Sequence, residues 1–372
     1  MSESKAGMSK TMQEAERMMR ICNACRYCSG FCAVFPAMEL RRSFTDKDLT
    51  YLANLCHNCR GCYYACQYAP PHEFQLNLPA TFEELRRETW QRFSWPEIFG
   101  GLFRRNALAV LLITSACVAM VLALTFLLQE TAVIFSEHQG EGAFYKVVPL
   151  TVMVVPAMLV SLYGALVLGA GFVRFWQLAD GSMGSLLDLR AHGRAVLDVL
   201  QLRWLRGGGD GCNYPDESFS HGRRRLHHLV FYGFMLCLAS TSLAAFQEHF
   251  MGLQAPYPYL SWTVVLGTVG GVMQVIGTSG FMLLRLRRDR RPDPEADPGL
   301  EAGLNLMLFL TNTTGLALMA LRESSAMGLL LVIHLGFVLG LFLTLPYGKF
   351  VHAVYRYGAL VRNAREQQAE GI

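Results

Sequence analysis

Hydrophobic positions after residue 106 fall into six long, nearly unbroken runs: 107–128, 147–173, 228–249, 261–284, 302–321 and 326–347. A hydrocarbon layer about 30 Å thick is crossed by about 20 helical residues. Six membrane-spanning helices are therefore expected. The pattern before residue 106 is shorter and mixed with charge, as in a small soluble domain. Thr45-Asp46-Lys47-Asp48 can start a helix whose apolar positions Leu49, Leu52 and Leu55 lead straight into Cys56. A capping-box pattern at Thr81-Phe82-Glu83-Glu84 predicts a second helix that ends near Phe93. Trp90, Phe93, Trp95 and Phe99 then gather just ahead of the first apolar run, where an aromatic belt would rest on the membrane surface.

Composition agrees, with 52% hydrophobic and only 17% charged residues in 372. Arginine placement adds an orientation. The segment 174–225 carries Arg174, Arg190, Arg194, Arg203, Arg206 and the run Arg223 to Arg225, and 285–291 carries five more arginines. The tail adds Lys349, Arg356, Arg362 and Arg365, whereas the turns 129–146 and 250–260 hold one lysine between them. Basic loops stay on the cytoplasmic side, so both termini and the N-terminal domain are expected there. Residues 1–20 show no apolar core of a secretory signal, which also places the cysteines in a reducing compartment.

Those cysteines carry the chemistry. Cys22, Cys25, Cys28 and Cys32 form one quartet, and Cys56, Cys59, Cys62 and Cys66 repeat it with the same spacing and the same proline four residues later. Three thiolates at C-x-x-C-x-x-C spacing wrap one corner of an iron–sulfur cube, and the fourth reaches toward a second cube. Two [4Fe–4S] clusters are expected, one on Cys22, Cys25, Cys28 and Cys66, the other on Cys56, Cys59, Cys62 and Cys32. Structural zinc sites use cysteine pairs rather than quartets. The expected fold class is all-α: a helical ferredoxin-like domain with interfacial linker over 1–106, then a six-helix transmembrane bundle over 107–372. Cys212 reads as an isolated thiol beside the glycine-rich turn 207–211, and His57, inside the second motif, as a group that tunes a cluster.

Histidines in or beside the apolar runs extend the wire, because ionisable side chains are rare there and functional by default. His334 and His352 are 18 residues apart, five helical turns and about 27 Å along one face. The third run offers His227 or His228 at one end and His249 at the other. Antiparallel packing would pair His352 with His227 or His228, and His334 with His249, giving one or two b-type haems. Pro346 and Gly348 are the residues that could interrupt this count.

Neither a dinucleotide-binding G-x-G-x-x-G after a strand nor a phosphate-binding G-x-x-x-x-G-K-[ST] occurs, and no catalytic triad or carboxylate pair is evident. Substrate chemistry is thus expected in a partner protein. The stretches Cys22-Asn-Ala-Cys-Arg-Tyr-Cys-Ser-Gly-Phe-Cys and Cys56-His-Asn-Cys-Arg-Gly-Cys-Tyr-Tyr-Ala-Cys-Gln-Tyr-Ala-Pro-Pro, the His227-His228 pair, and Leu-Pro-Tyr-Gly-Lys-Phe-Val-His ending at His352 resemble the tricarballylate utilization protein B family. They also resemble the membrane half of CobZ. The resemblance implies a multi-pass subunit of the bacterial cytoplasmic membrane. Its partner would be an FAD-containing dehydrogenase that oxidises tricarballylate to cis-aconitate, with quinone as the final acceptor and no nucleic-acid partner. A passive anchor for an iron–sulfur relay serving another flavoprotein, and a carboxylate transporter with a regulatory cluster domain, are the rival expectations.

Overall fold

The computed structural model describes residues 8–179 and 182–371. Five helices build the N-terminal head: α1 (Lys10–Cys25), α2 (Val34–Glu39), α3 (Asp46–Leu55), α4 (Gly61–Tyr64) and α5 (Leu78–Phe93). Six longer ones are apolar enough to cross a membrane: α6 (Asn106–Leu128), α9 (Leu150–Ala179), α11 (Gly222–Met251), α12 (Trp262–Arg287), α13 (Leu300–Leu321) and α14 (Met327–Thr344). Short helices α7 (Thr131–Ile134) and α8 (Ala143–Val147) fill one connection, and α10 (Leu189–Gln201) lies against α15 (Val351–Ala369), which closes the chain. Among the described residues the strands are β1 (Cys212–Asn213) and β2 (Phe219–Ser220), paired antiparallel.

Local signals account for most of these boundaries. Thr45 caps α3 by accepting from Asp48 N, while the Asp48 carboxylate accepts from Thr45 N, so the expected start is present with its capping box. Leu49, Leu52 and Leu55 are fully buried. The second expected start moves, however. Asn77 caps α5 by accepting from Ala80 N, and Pro79 occupies the first turn, so Thr81 and Glu84 lie inside the helix.

Span six also departs from expectation. α14 stops at Thr344, a 3-10 turn covers Leu345–Tyr347, Gly348 is extended, and α15 starts afresh at Val351. Asn106 pins this break by donating to the Tyr347 carbonyl at 2.7 Å, and the Tyr347 hydroxyl donates to the Trp95 carbonyl at 2.9 Å. His334 and His352 therefore sit on different helices, and the five-turn count between them does not apply.

The head and the bundle share one core. Tyr51, Phe82 and Trp90 of the head pack in the same cluster as Phe175 and Trp176 from the end of α9 and Tyr355 and Leu360 of α15. An ionic clamp reinforces this: the Asp48 carboxylate accepts from Arg41 at 2.9 Å and Arg362 at 3.3 Å, and Arg362 also binds Glu366 at 3.0 Å. The expected aromatic belt divides here. Trp90 and Phe93 are core residues, whereas Trp95, Ile98 and Phe99 remain exposed beside α6. Elsewhere α11 and α12 approach closely through small residues, since a side chain at Gly270 would meet the Gly233 carbonyl at 2.8 Å.

Candidate functional site

Both cysteine motifs are bent by the same device. The residue after the second cysteine is left-handed in each, Arg26 at φ 56° and Arg60 at φ 66°. That reversal ends α1 at Cys25 and starts α4 at Gly61, turning the third cysteine of each motif back toward the first. An outer cavity of about 270 Å³ is lined by Cys22, Cys25, Cys28 and Cys66, together with Cys62. A second, narrower pocket is lined by Cys32, Cys56, Cys59 and Cys62. The fourth cysteine of each motif thus lies with the first three of the other.

Electrostatics follow the same grouping. Burial pushes the Cys22 thiol up to about 12, and neighbouring Cys28, Cys66 and Cys25 add to it. Cys28 is likewise pushed up to about 12 by burial and then by Cys66 and Cys25. In the inner set burial raises Cys32 and Cys62, and Cys59 and Cys56 raise them further. So many thiolates can coexist only around a positively charged core, so the donor set fits iron–sulfur clusters. Among the described residues no three His, Cys, Asp or Glu side chains converge on a point a single ion could occupy. Four thiolates on the corners of a cube stand farther apart than four around one ion.

Basic groups surround the inner set. Arg86 donates to the carbonyls of Ala53 at 3.0 Å and Cys56 at 3.2 Å, Arg356 donates to the Cys56 carbonyl at 2.8 Å, and Arg223 donates to the Asn58 carbonyl. Arg60 pairs with Asp293 and donates to the Asp289 carbonyl at 2.9 Å. His57 is buried, its Nδ1–H directed at the Leu55 carbonyl at 2.8 Å, and burial followed by the Arg356 charge holds its pKa well below the usual imidazole range.

Beneath this set lie two of the candidate histidines. The rings of His227 and His352 are 6.3 Å apart, inclined at 73°. Two imidazoles flanking one iron at about 2 Å metal–nitrogen distance have ring centres about 6 Å apart. His352 directs Nδ1–H at the Lys349 carbonyl, which leaves Nε2 free, and His227 Nδ1 has no partner. The donor pair fits a haem iron, which these two imidazoles would hold. His228 turns away toward Tyr232, with ring centres 5.7 Å apart. At the other end of the bundle, His249 is exposed with its Nδ1 at 2.9 Å from the Ala245 carbonyl. His334 lies inside, 3.1 Å from the Thr314 hydroxyl and close over Gly315. Among the described residues no contact joins His249 to His334, the pair expected for a second haem.

Sequence comparison bears on both parts of this arrangement. The description "Citrate utilization protein B" matches residues 101–372, and "Citrate utilization protein B Fer4-like domain" matches residues 15–91. The citrate utilization protein B of Escherichia coli is 42% identical over 358 residues, covering 95% of this chain and 92% of that protein. This chain belongs to the citrate utilization protein B family. No solved structure matches it. For a citrate utilization protein B family member, a Fer4-like head on a helical membrane domain fits an iron–sulfur electron-transfer subunit.

Two features of this family member escape sequence reasoning. Cys212 is not an isolated thiol: it is fully buried beside Cys59 and donates to the Leu205 carbonyl at 3.4 Å. The strand it begins docks on the second motif, with Asn213 N donating to the Cys59 carbonyl at 3.0 Å. The glycine-rich turn before it packs against Gly30 and Phe31, which explains its backbone: a side chain at Gly208 would meet the Gly30 carbonyl at 3.3 Å. Gln274, midway along α12, is 1% exposed, and neither amide atom has a partner. A lone glutamine in an apolar run was the available signal for the second; nothing local announces the first.

Proposed function

We propose that this protein carries electrons from a reduced FAD-containing dehydrogenase into the membrane quinone pool, using two [4Fe–4S] clusters and b-type haem. When bound, these groups would take up and release single electrons. Cys22, Cys25, Cys28 and Cys66 would hold the outer cluster, Cys32, Cys56, Cys59 and Cys62 the inner one, and His227 with His352 a haem at the head end of the bundle. The observation that carries the reading is the order of the three sites in space. Cys25 is exposed beside Tyr27, itself 70% exposed, where a partner can reach it. In the inner set Cys56 and Cys59 are buried and Cys32 and Cys62 half-buried, and the histidine pair lies at the head end of α11 and the start of α15. His57 and Arg356 join these last two, since His57 lies near His227 and Arg356 donates to the Cys56 carbonyl.

The partner's substrate is a tricarboxylate on this reading. The Escherichia coli relative is described by citrate, and the motif resemblance points to tricarballylate, oxidised by the partner to cis-aconitate. A CobZ-like flavoprotein is the alternative partner. The basic residues at the head end support placing the head on the cytoplasmic face of the bacterial inner membrane. A passive anchor would leave His227 and His352 without iron, and a carboxylate transporter would need cations along a path through the bundle.

Anaerobically purified protein should contain about eight non-haem irons with matching sulfide, and should show b-type bands on reduction. Reduced partner flavoprotein supplied with tricarballylate should reduce it without dithionite. Intact clusters with no haem bands would favour the anchor; reduction by a different flavoprotein alone would replace the proposed partner.

A further inference from the structure

The two cysteine sets differ in what grips their backbone. Three guanidiniums from distant parts of the chain converge on the short stretch from Ala53 to Asn58. Arg86, 2% exposed, spans the Ala53 and Cys56 carbonyls, Arg356 binds the Cys56 carbonyl from α15, and Arg223 binds the Asn58 carbonyl from the start of α11. None of the three is within ion-pair distance of a carboxylate among the described residues, although Glu83 acts on Arg86 and Glu301 on Arg223 through space; nearby Arg60, by contrast, is paired with Asp293. The Nε atoms of Arg356 and Arg60 are buried with no hydrogen-bond partner at all. Charge removed from water in this way is stable only beside charge of opposite sign.

The outer set has no such surroundings. The guanidinium within its own motif, Arg26, is exposed and donates to the Asn23 carbonyl at 3.0 Å, where water and salt screen it.

We propose that Arg86, Arg223 and Arg356 form a cationic cradle for the iron–sulfur cluster on Cys32, Cys56, Cys59 and Cys62, and hold its reduction potential above that of the cluster on Cys22, Cys25, Cys28 and Cys66. This rests on the electron-transfer reading above. A cube on four thiolates is an anion, and gaining an electron makes it more negative. Fixed cations favour the reduced form, and more strongly where water is excluded. The same guanidiniums tie up the carbonyls of the ligand stretch, whose negative ends would otherwise be free to turn toward the cluster and oppose them. The three arginines act through the cluster's surroundings and are positioning residues.

The test is a redox titration of anaerobic, full-length protein followed by electron paramagnetic resonance, with iron counted in every sample. Wild-type protein should show two potentials separated by at least a tenfold difference in equilibrium constant, 59 mV for one electron. Arg356→Gln should lower the higher potential at least threefold in the same constant and leave the lower one in place. Arg356→Lys, which keeps the charge and a donor, should recover most of the shift. Arg223→Gln, on a different helix, is read the same way should Arg356→Gln lose iron. Two clusters that titrate together in iron-replete wild type overturn the cradle while leaving the electron-transfer reading intact. A glutamine variant with full iron that moves neither potential, or both alike, does the same. Wild-type protein without clusters overturns both.

Discussion

The two ends of the membrane domain treat their histidines in opposite ways. At the head end, His227 and His352 lie ring to ring although the chain breaks between α14 and α15 before reaching His352. At the far end, an unbroken α11 and α14 carry His249 and His334, and among the described residues these two make no contact. His249 is two residues from the end of α11, whereas His334 is seven residues into α14, a depth difference of about 7 Å at 1.5 Å per residue. The head end has elements that correct for such mismatch. There α15 is clamped to α3, and α3 ends in Cys56, so the histidine and the cysteines are positioned by one core. At the far end the short helices α7 and α8 pack against α14, and neither carries His249 toward His334.

The sharpest way to break this contrast is to remove its ligands. His352→Ala and His227→Ala should each abolish the b-type bands, and His249→Ala should leave them unchanged, read as reduced-minus-oxidised spectra at equal protein. Bands that survive both head-end changes would move the haem elsewhere. In the same experiment Cys32→Ala should deplete the inner cluster and Cys66→Ala the outer one, each leaving about half the iron. The reverse assignment would show that each motif supplies all four of its own ligands.

Next in size is the clamp that carries α15. Asp48→Asn leaves Glu366 as the carboxylate that Arg41 and Arg362 still share, so the change weakens charge-assisted hydrogen bonds and costs about 1.5–3 kcal/mol. A clear fall in melting temperature in detergent is expected, accompanied by weakened b-type bands, because His352 is on the helix that is released. The linked pH effect has a definite sign. Burial alone would raise the Asp48 carboxyl, but the Thr45 hydroxyl and the Arg41 guanidinium outweigh it and hold the group below its ordinary value. The unfolded chain therefore binds this proton at higher pH than the folded one. The stabilisation is present above about pH 4 and disappears as pH falls through the lowered value. Asp48→Asn should show a shallower loss of stability on acidification below pH 4 than the wild type.

Much of this could be read in the sequence wherever the signal is local. Cysteine spacing is set by the ligand it has to wrap, so both quartets stand out at once. Six apolar runs, and the Thr45–Asp48 box ahead of α3, are equally local. The start of α5 was misplaced because Asn77 and Pro79 outcompete the similar-looking box at Thr81. What sequence does not disclose is convergence. Arg86, Arg223 and Arg356 are separated by more than a hundred residues yet meet at the Cys56 loop, and Cys212 reaches Cys59 through a strand of two residues. The count from His334 to His352 failed for the related reason that Asn106, far away in sequence, fixes the break at Tyr347.

The smallest expected effect tests whether the far end is only packing. Gly315 lets α13 pass close to His334: a side-chain carbon there would sit 2.9 Å from the imidazole Cε1. Gly315→Ala should push the ring off Thr314, at a cost of about 1–3 kcal/mol from overpacking. Haem bands and both cluster signals should persist, because nothing at the head end is touched. If instead b-type bands are lost while His249→Ala retains them, His334 holds iron with a partner other than His249. The contrast between the two ends would then lie in which residue faces the histidine, rather than in whether it is a ligand.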